Sequence, residues 1–179
     1  EEKTPEGQPV AGTVTIDGQV VAANTLSNVN DGNDSTYVHL KCNNAVKGEP
    51  NFDIRDYTQP DATVTLMFTK TSEVDTFTFV QEARNGNDKN SGDGINAGVL
   101  EYQNEKGEWT KAGNIDGTAM QTITLPSAVK AKAIRVKNTA ATMSWWKVYE
   151  LSATKGASTE PEPTATVTST GLDVYQNYA

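Results

Sequence analysis

The stretch ATVTLMFTKTSEVDTFTFV, residues 62–80, decides the class of fold. Val64, Leu66 and Phe68 alternate with Thr and Met in its first half, and Phe77 and Phe79 alternate with Thr in its second. A period of two sends successive side chains to opposite faces of an extended chain, so each half predicts a strand with one buried face and one wet face. Working outward, Ile123 and Leu125 alternate in QTITL (121–125), and Ile134 and Val136 in KAIRVKN (132–138). Further strands are expected at GTVTI (12–16), TYVHLK (36–41), GVLEYQ (98–103) and VYELSAT (148–154). They are separated by turn pairs such as Asn85-Gly86, Lys106-Gly107 and Asp116-Gly117. Many short strands with polar turns and no helical period predict an all-β, antiparallel β-sandwich.

This body is expected over 12–154. Residues 1–11 (EEKTPEGQPVA) read as an N-terminal linker, and 155–179 as a Pro/Thr-rich linker ending in TSTGLDVYQNYA (168–179), the possible start of a following module. The chain opens without Met, and EEKTPEGQP is acidic where a leader peptide is basic and then apolar, so a mature fragment or excised module is expected.

Composition narrows the function. The 179 residues carry 15 Lys plus Arg against 23 Asp plus Glu, a net charge of −8, and the basic residues are scattered singly. A nucleic-acid partner needs clustered basic side chains that release phosphate counterions, so none is expected. No apolar run reaches the roughly 18 residues that span a bilayer, so membrane insertion is not expected. Cys42 is the sole cysteine and His39 the sole histidine, which excludes an internal disulfide and Cys/His zinc clusters. Stabilisation then falls to packing, or to a hard cation on oxygen ligands.

Three segments concentrate chemistry. SNVNDGNDSTYVHLK (27–41) gathers oxygen donors around Gly32. It is not an EF-hand: counting from Asp31, Thr36 stands where Gly is required and Cys42 where Glu is required, and a count from Asp88 fails likewise at Asp93 and Val99. A turn held by Asx hydrogen bonds and a cation site are both compatible with this composition. EARNGNDKNSGDGINAG (82–98) is the longest gap between expected strands, and long loops in compact domains are often functional. Trp145 and Trp146 are adjacent, so on an extended chain they face opposite sides, one toward the core and one available. Trp109, in KGEWTKAG, reads as a packed residue at a hairpin edge.

In order and spacing, NDGNDSTYVHL, VTLMFTKTSEVDTFTFV, GVLEYQNEKGEWTKAG and KAIRVKNTAATMSWWKVYELSA together resemble the discoidin, or coagulation factor C-type, domains. More narrowly, the chain resembles the family 32 carbohydrate-binding modules appended to bacterial N-acetylglucosaminidases, hyaluronidases and related glycosidases. The resemblance implies an eight-stranded discoidin-like jelly roll with one structural Ca²⁺. By the family's offsets the ion would be held by the carbonyl of Asn28, by Asp31, Asn33 and Thr36, and by Glu150 with the carbonyl of Tyr149 before it. It implies a sugar site at His39, Arg84, Asn90, Trp145 and Trp146, although Val38 stands where galactose binders carry Trp. The expected function is that of a non-catalytic module of a secreted or cell-surface bacterial glycoside hydrolase. It would act as a monomer among other modules of one polypeptide and bind glycans with terminal N-acetylglucosamine, N-acetyllactosamine or galactose-type sugars weakly. The alternatives are a protein-binding adhesion domain of the same fold, and a glycosidase using two carboxylates among Glu82, Asp88, Asp93 and Glu101.

Overall fold

A computed structural model describes residues 5–22, 26–41, 62–86, 92–140 and 145–156. Its strands are β1 (Gly12–Asp17), β2 (Gln19–Ala22), β3 (Val38–Lys41), β4 (Thr63–Gln81), β5 (Ala97–Asn104), β6 (Trp109–Asp116), β7 (Met120–Asn138) and β8 (Trp146–Thr154), with one 3-10 turn at Leu26–Asn30. Among the described residues, all the pairings between strands are antiparallel.

The two alternating halves of 62–80 are not separate strands. They form one 19-residue strand, β4, and QTITL and KAIRVKN likewise join into the 19-residue β7. These two strands run side by side and turn the sheet back on itself. Between the pairs Met67/Ala133 and Ser72/Ala131, β4 uses residues 68–71 against the single Lys132; between Val74/Val129 and Thr76/Thr124, β7 uses 125–128 against the single Asp75. Each excursion is a bulge that bends its strand, and Pro126, which has no N–H to give a ladder, sits in the second. The first half of β4 and second half of β7 therefore build one layer with β1, β5 and β6, and the remaining halves build the other with β2, β3 and β8.

The alternation is what fills the space between the layers. Val64, Leu66, Leu100, Ile134 and Val136 from one layer meet Val38, Leu40, Phe77, Phe79, Trp146, Val148 and Leu151 from the other, all fully buried. Phe79 and Trp146 meet edge to face, with ring centroids 6.1 Å apart.

Residues 5–11 are not a free linker. Gly7 N and Val10 N donate to the carbonyls of Lys155 and Ala153, and Val10 is buried. On the other side Gly156 N donates to Asp75 and Lys155 pairs with Glu73 at 2.6 Å. An apolar residue within reach of the sandwich outweighed the Pro- and Glu-rich composition around it. Residues 157–179 and Cys42 lie outside the described residues.

Candidate functional site

The outer face of β8 carries two clusters, and a bulge separates them. Val80 pairs with Glu150 and Gln81 with Val148, which leaves Tyr149 as the extra residue. Before it Trp146 and Val148 point inward; after it Leu151 and Ala153 do. The change of phase puts two consecutive side chains, Tyr149 and Glu150, on the outer face.

The cluster beyond the bulge contains the expected cation ligands. Gly32 N donates to Glu150 Oε2 at 3.2 Å, which joins the 27–41 segment to the last strand. Within that segment Asn33 N donates to Asp31 Oδ1 at 2.9 Å, and Thr36 Oγ1 lies 2.6 Å from Asp31 Oδ2 and 2.9 Å from the Asn33 carbonyl. Asn33 Oδ1 accepts from Ser35 N, and Asn28 Nδ2 donates to the Tyr37 carbonyl. Glu150 is buried, and burial, with the charges of Asp31 and Asp34 adding to it, pushes its carboxyl up to about 7. Among the described residues no three His, Cys, Asp or Glu side chains gather as a metal set, so any hard cation here would rest on two carboxylates plus neutral oxygens.

The cluster before the bulge is aromatic, and its two carboxylates face one ammonium and one imidazole. His39 on β3 pairs with Lys147 on β8. The half-buried Trp145 lies with its ring centroid 4.7 Å from that of His39, and Tyr37 approaches the imidazole edge-on at 6.2 Å. His39 Nε2 faces Asp93 Oδ2 at 3.1 Å, and Lys147 Nζ faces Glu82 Oε1 at 3.5 Å and the Tyr37 ring at 5.2 Å. Burial holds the His39 pKa below its ordinary 6.5, with Asp93 pulling the other way, so the ring is neutral at neutral pH. For Lys147, burial favours the neutral amine but Glu82, Tyr149 and Asp93 together raise its pKa, and it stays charged.

Gln81 and Arg84 hold this cluster up. In the alternation of Phe77 and Phe79 the next inward position is Gln81, which is buried. Its Oε1 accepts from Ile95 N at 2.9 Å and from Trp146 Nε1 at 3.1 Å, while its Nε2 donates to the carbonyls of Ile95 and Asp116 at 3.0 and 2.8 Å. Arg84 is not the exposed sugar ligand the resemblance implies. It is buried, donating from Nε to the Gly86 carbonyl and from Nη1 to that of Gly92, because a guanidinium can satisfy several carbonyls of a returning loop at once. Trp146 is likewise removed from the sugar set: it is fully buried, its one polar atom satisfied by Gln81. Of that set the structure brings together His39 and Trp145, while Asn90 falls outside the described residues. Val38, in place of the family's Trp, is a core residue.

The candidate carboxylates of a hydrolase are dispersed. Glu101 belongs to the opposite layer, bound to Arg135 at 2.6 Å, and that guanidinium covers the Trp109 ring at 3.9 Å. Glu82 and Asp93 do meet, but with Glu82 Oε2 accepting from Asp93 N. Asp88 lies outside the described residues. Asp93 beside His39 was legible in sequence as a loop carboxylate and not as a partner of the histidine, since 54 residues separate them.

No family model and no curated protein matches this sequence. Solved structures do match. Chitosan-binding module 1 of a chitosanase/glucanase from Paenibacillus sp. IK-5 is 16% identical over 80% of this chain and 95% of that one, with a TM-score of 0.58. The family 32 module of C. perfringens NanJ, solved with galactose, is 17% identical over 79% and 91%, with a TM-score of 0.54. The fold is that of the family 32 carbohydrate-binding modules. A Ruminococcus gnavus GH29 fucosidase in complex with fucose also matches, at 17% identity and a TM-score of 0.57, and the chain spans 25% of its length.

Proposed function

We propose that this chain is a non-catalytic carbohydrate-binding module of a secreted or cell-surface bacterial glycoside hydrolase, held together by one Ca²⁺. The observation that carries the reading is the half-buried Trp145 ring set against a neutral His39 on the outer face of a fold shared with sugar-binding modules. An indole covers the apolar C–H face of a pyranose, while the imidazole, Lys147 and the Glu82 carboxylate offer polar groups to its hydroxyls. The favoured ligands are terminal N-acetylglucosamine, N-acetyllactosamine or galactose-type sugars. A site covering one or two rings binds weakly, ~1 mM corresponding to about −4 kcal/mol, and other modules on the same polypeptide would raise the effective concentration.

The donor set suits a hard cation. Asp31 and Glu150 supply two formal charges, Asn33 and Thr36 supply neutral oxygens, and the carbonyls of Asn28 and Tyr149 complete the expected shell. Burial of Glu150 beside Asp31 and Asp34 supports this assignment, because a bound divalent ion would hold that carboxylate ionised. The ion would tie the 27–41 segment to β8 and stabilise only the folded chain.

Isothermal titration of the 179-residue chain in excess Ca²⁺ with N-acetyllactosamine, galactose and N-acetylglucosamine tests the reading. Saturable heat with at least one sugar is expected. Absence of heat with all three, together with an empty glycan array, overturns it.

A further inference from the structure

The His39–Asp93 contact has a construction of its own. Asp93 is locked through its backbone on both sides: its N–H donates to Glu82 Oε2 and its carbonyl accepts from Lys147 N at 2.6 Å. It is flanked by Gly92 and Gly94, and a Cβ at either would come within 2.0 Å of the Ala83 or Glu82 carbonyl. Gly92 also has φ +116, a conformation that strains any other residue. Glycines at 92 and 94 let the returning limb of the 82–98 loop lie this close to the outgoing one, and the residue between them presents a carboxylate to His39.

His39 Nε2 is buried, lies 3.1 Å from Asp93 Oδ2 and has no aligned hydrogen bond, so the contact is chiefly electrostatic. The other ring nitrogen, Nδ1, is not shut in this way and makes no hydrogen bond among the described residues. A neutral imidazole carries one N–H and one lone pair, and the neighbour of one nitrogen decides which the other shows.

We propose that Asp93 is a positioning residue for sugar recognition: its carboxylate holds the proton of neutral His39 on Nε2, so that Nδ1 faces the ligand beside Trp145 as an acceptor and selects sugars offering an O–H or amide N–H donor there. The inference rests on the sugar-binding reading and adds to it the polarity of one contact. The charged and titratable groups facing the ring are Asp93 and Glu82 from the 82–98 loop, Lys147 from β8 and Tyr37 ahead of β3.

The chain has one histidine, so a ¹⁵N-histidine NMR spectrum reports this ring alone. In the full chain with Ca²⁺, above the titration of His39, the Nε2–H tautomer is expected. Asp93→Ala should shift the ring toward the Nδ1–H form and weaken binding of whichever probe sugar the wild-type chain takes, among galactose, N-acetylglucosamine and N-acetyllactosamine, by about tenfold. The unfolding midpoint should stay within about 2 °C, since Gly92, Gly94 and the backbone of residue 93 are retained. Asp93→Asn, which keeps a partially negative oxygen beside Nε2 but removes the full charge, should restore part of both the tautomer and the affinity relative to Asp93→Ala. An Nδ1–H tautomer in the wild-type chain, or an Asp93→Ala variant with unchanged affinity, overturns the inference and leaves sugar binding standing. Failure of the wild-type chain to bind any probe overturns the sugar reading and this recognition role with it.

Discussion

The two clusters on the outer face of β8 lie two residues apart in sequence and differ in how their charge is treated. Before the bulge, the carboxylates of Asp93 and Glu82 face His39 and Lys147, and aromatic rings cover the imidazole. Beyond it, Glu150 meets a backbone N–H and the charges of Asp31 and Asp34, and its carboxyl rises to about 7. Carboxylates offset in part by Lys147, beside the half-buried Trp145 ring, suit an uncharged ligand read by hydrogen bonds. Unbalanced negative charge among neutral oxygens suits a cation. One bulged residue, Tyr149, is what allows a single strand to serve both.

The sharpest break in the comparison is within the Trp pair. Trp146→Ala should destabilise the fold by about 3–5 kcal/mol, since it empties a fully buried site and strips Gln81 of a donor. Trp145→Ala should leave the denaturation midpoint nearly unchanged. Equal losses from both in urea titrations would erase the distinction between core and platform.

Next in size is Gln81→Leu, which leaves Ile95 N and Trp146 Nε1 without their acceptor. A loss of about 2–4 kcal/mol in chemical denaturation is expected. Sugar affinity should fall with it, because Ile95 lies two residues from Asp93.

The pH response probes the other cluster. Without divalent ions, Glu150 has a folded pKa of about 7 against 4.5 unfolded. The folded form then binds the proton more tightly, so this contribution is fully present below pH 4.5 and is lost as pH rises through 7. Its full size is on the order of 3 kcal/mol. Denaturation in EDTA between pH 4.5 and 8 should show that decline relative to Glu150→Gln, and added Ca²⁺ should remove it. A flat difference in EDTA would contradict the raised pKa of the buried Glu150 carboxyl.

Trp145→Ala should weaken sugar binding at least tenfold, roughly 1.4 kcal/mol, measured by titration calorimetry. Smallest is Glu101→Gln, in the opposite layer. Its partly exposed pair with Arg135 contributes at most about 1 kcal/mol, and sugar affinity should not change. A change in affinity would place ligand contact on the wrong face of the sandwich.

Residues 64–80 show how far local pattern reaches. Alternation assigned Val64, Leu66, Phe68, Phe77 and Phe79 to the interior, because a side chain's face in a strand depends only on parity. It could not say that the two runs are one strand, since the bulges that join them depend on which residues of β7 lie opposite. Strands β2 and β6 lacked a clear alternation and were not anticipated. At the site, adjacency of Trp145 and Trp146 required that they face opposite ways. Assigning Trp146 to the core needed its partner Gln81, and Arg84 could not be told from an exposed ligand without Gly86 and Gly92 around it.

From the order of residues alone came the all-β class, the exclusion of disulfides and zinc clusters, and the oxygen-rich segment at 27–41, because these follow from parity, counts and composition. Tertiary structure alone decided the union of Asp93 with His39, the inward turn of Arg84 and the crowding of Glu150 against Asp31 and Asp34. Each of these joins groups from distant parts of the chain, and their protonation and accessibility depend on burial and neighbours that no local pattern encodes.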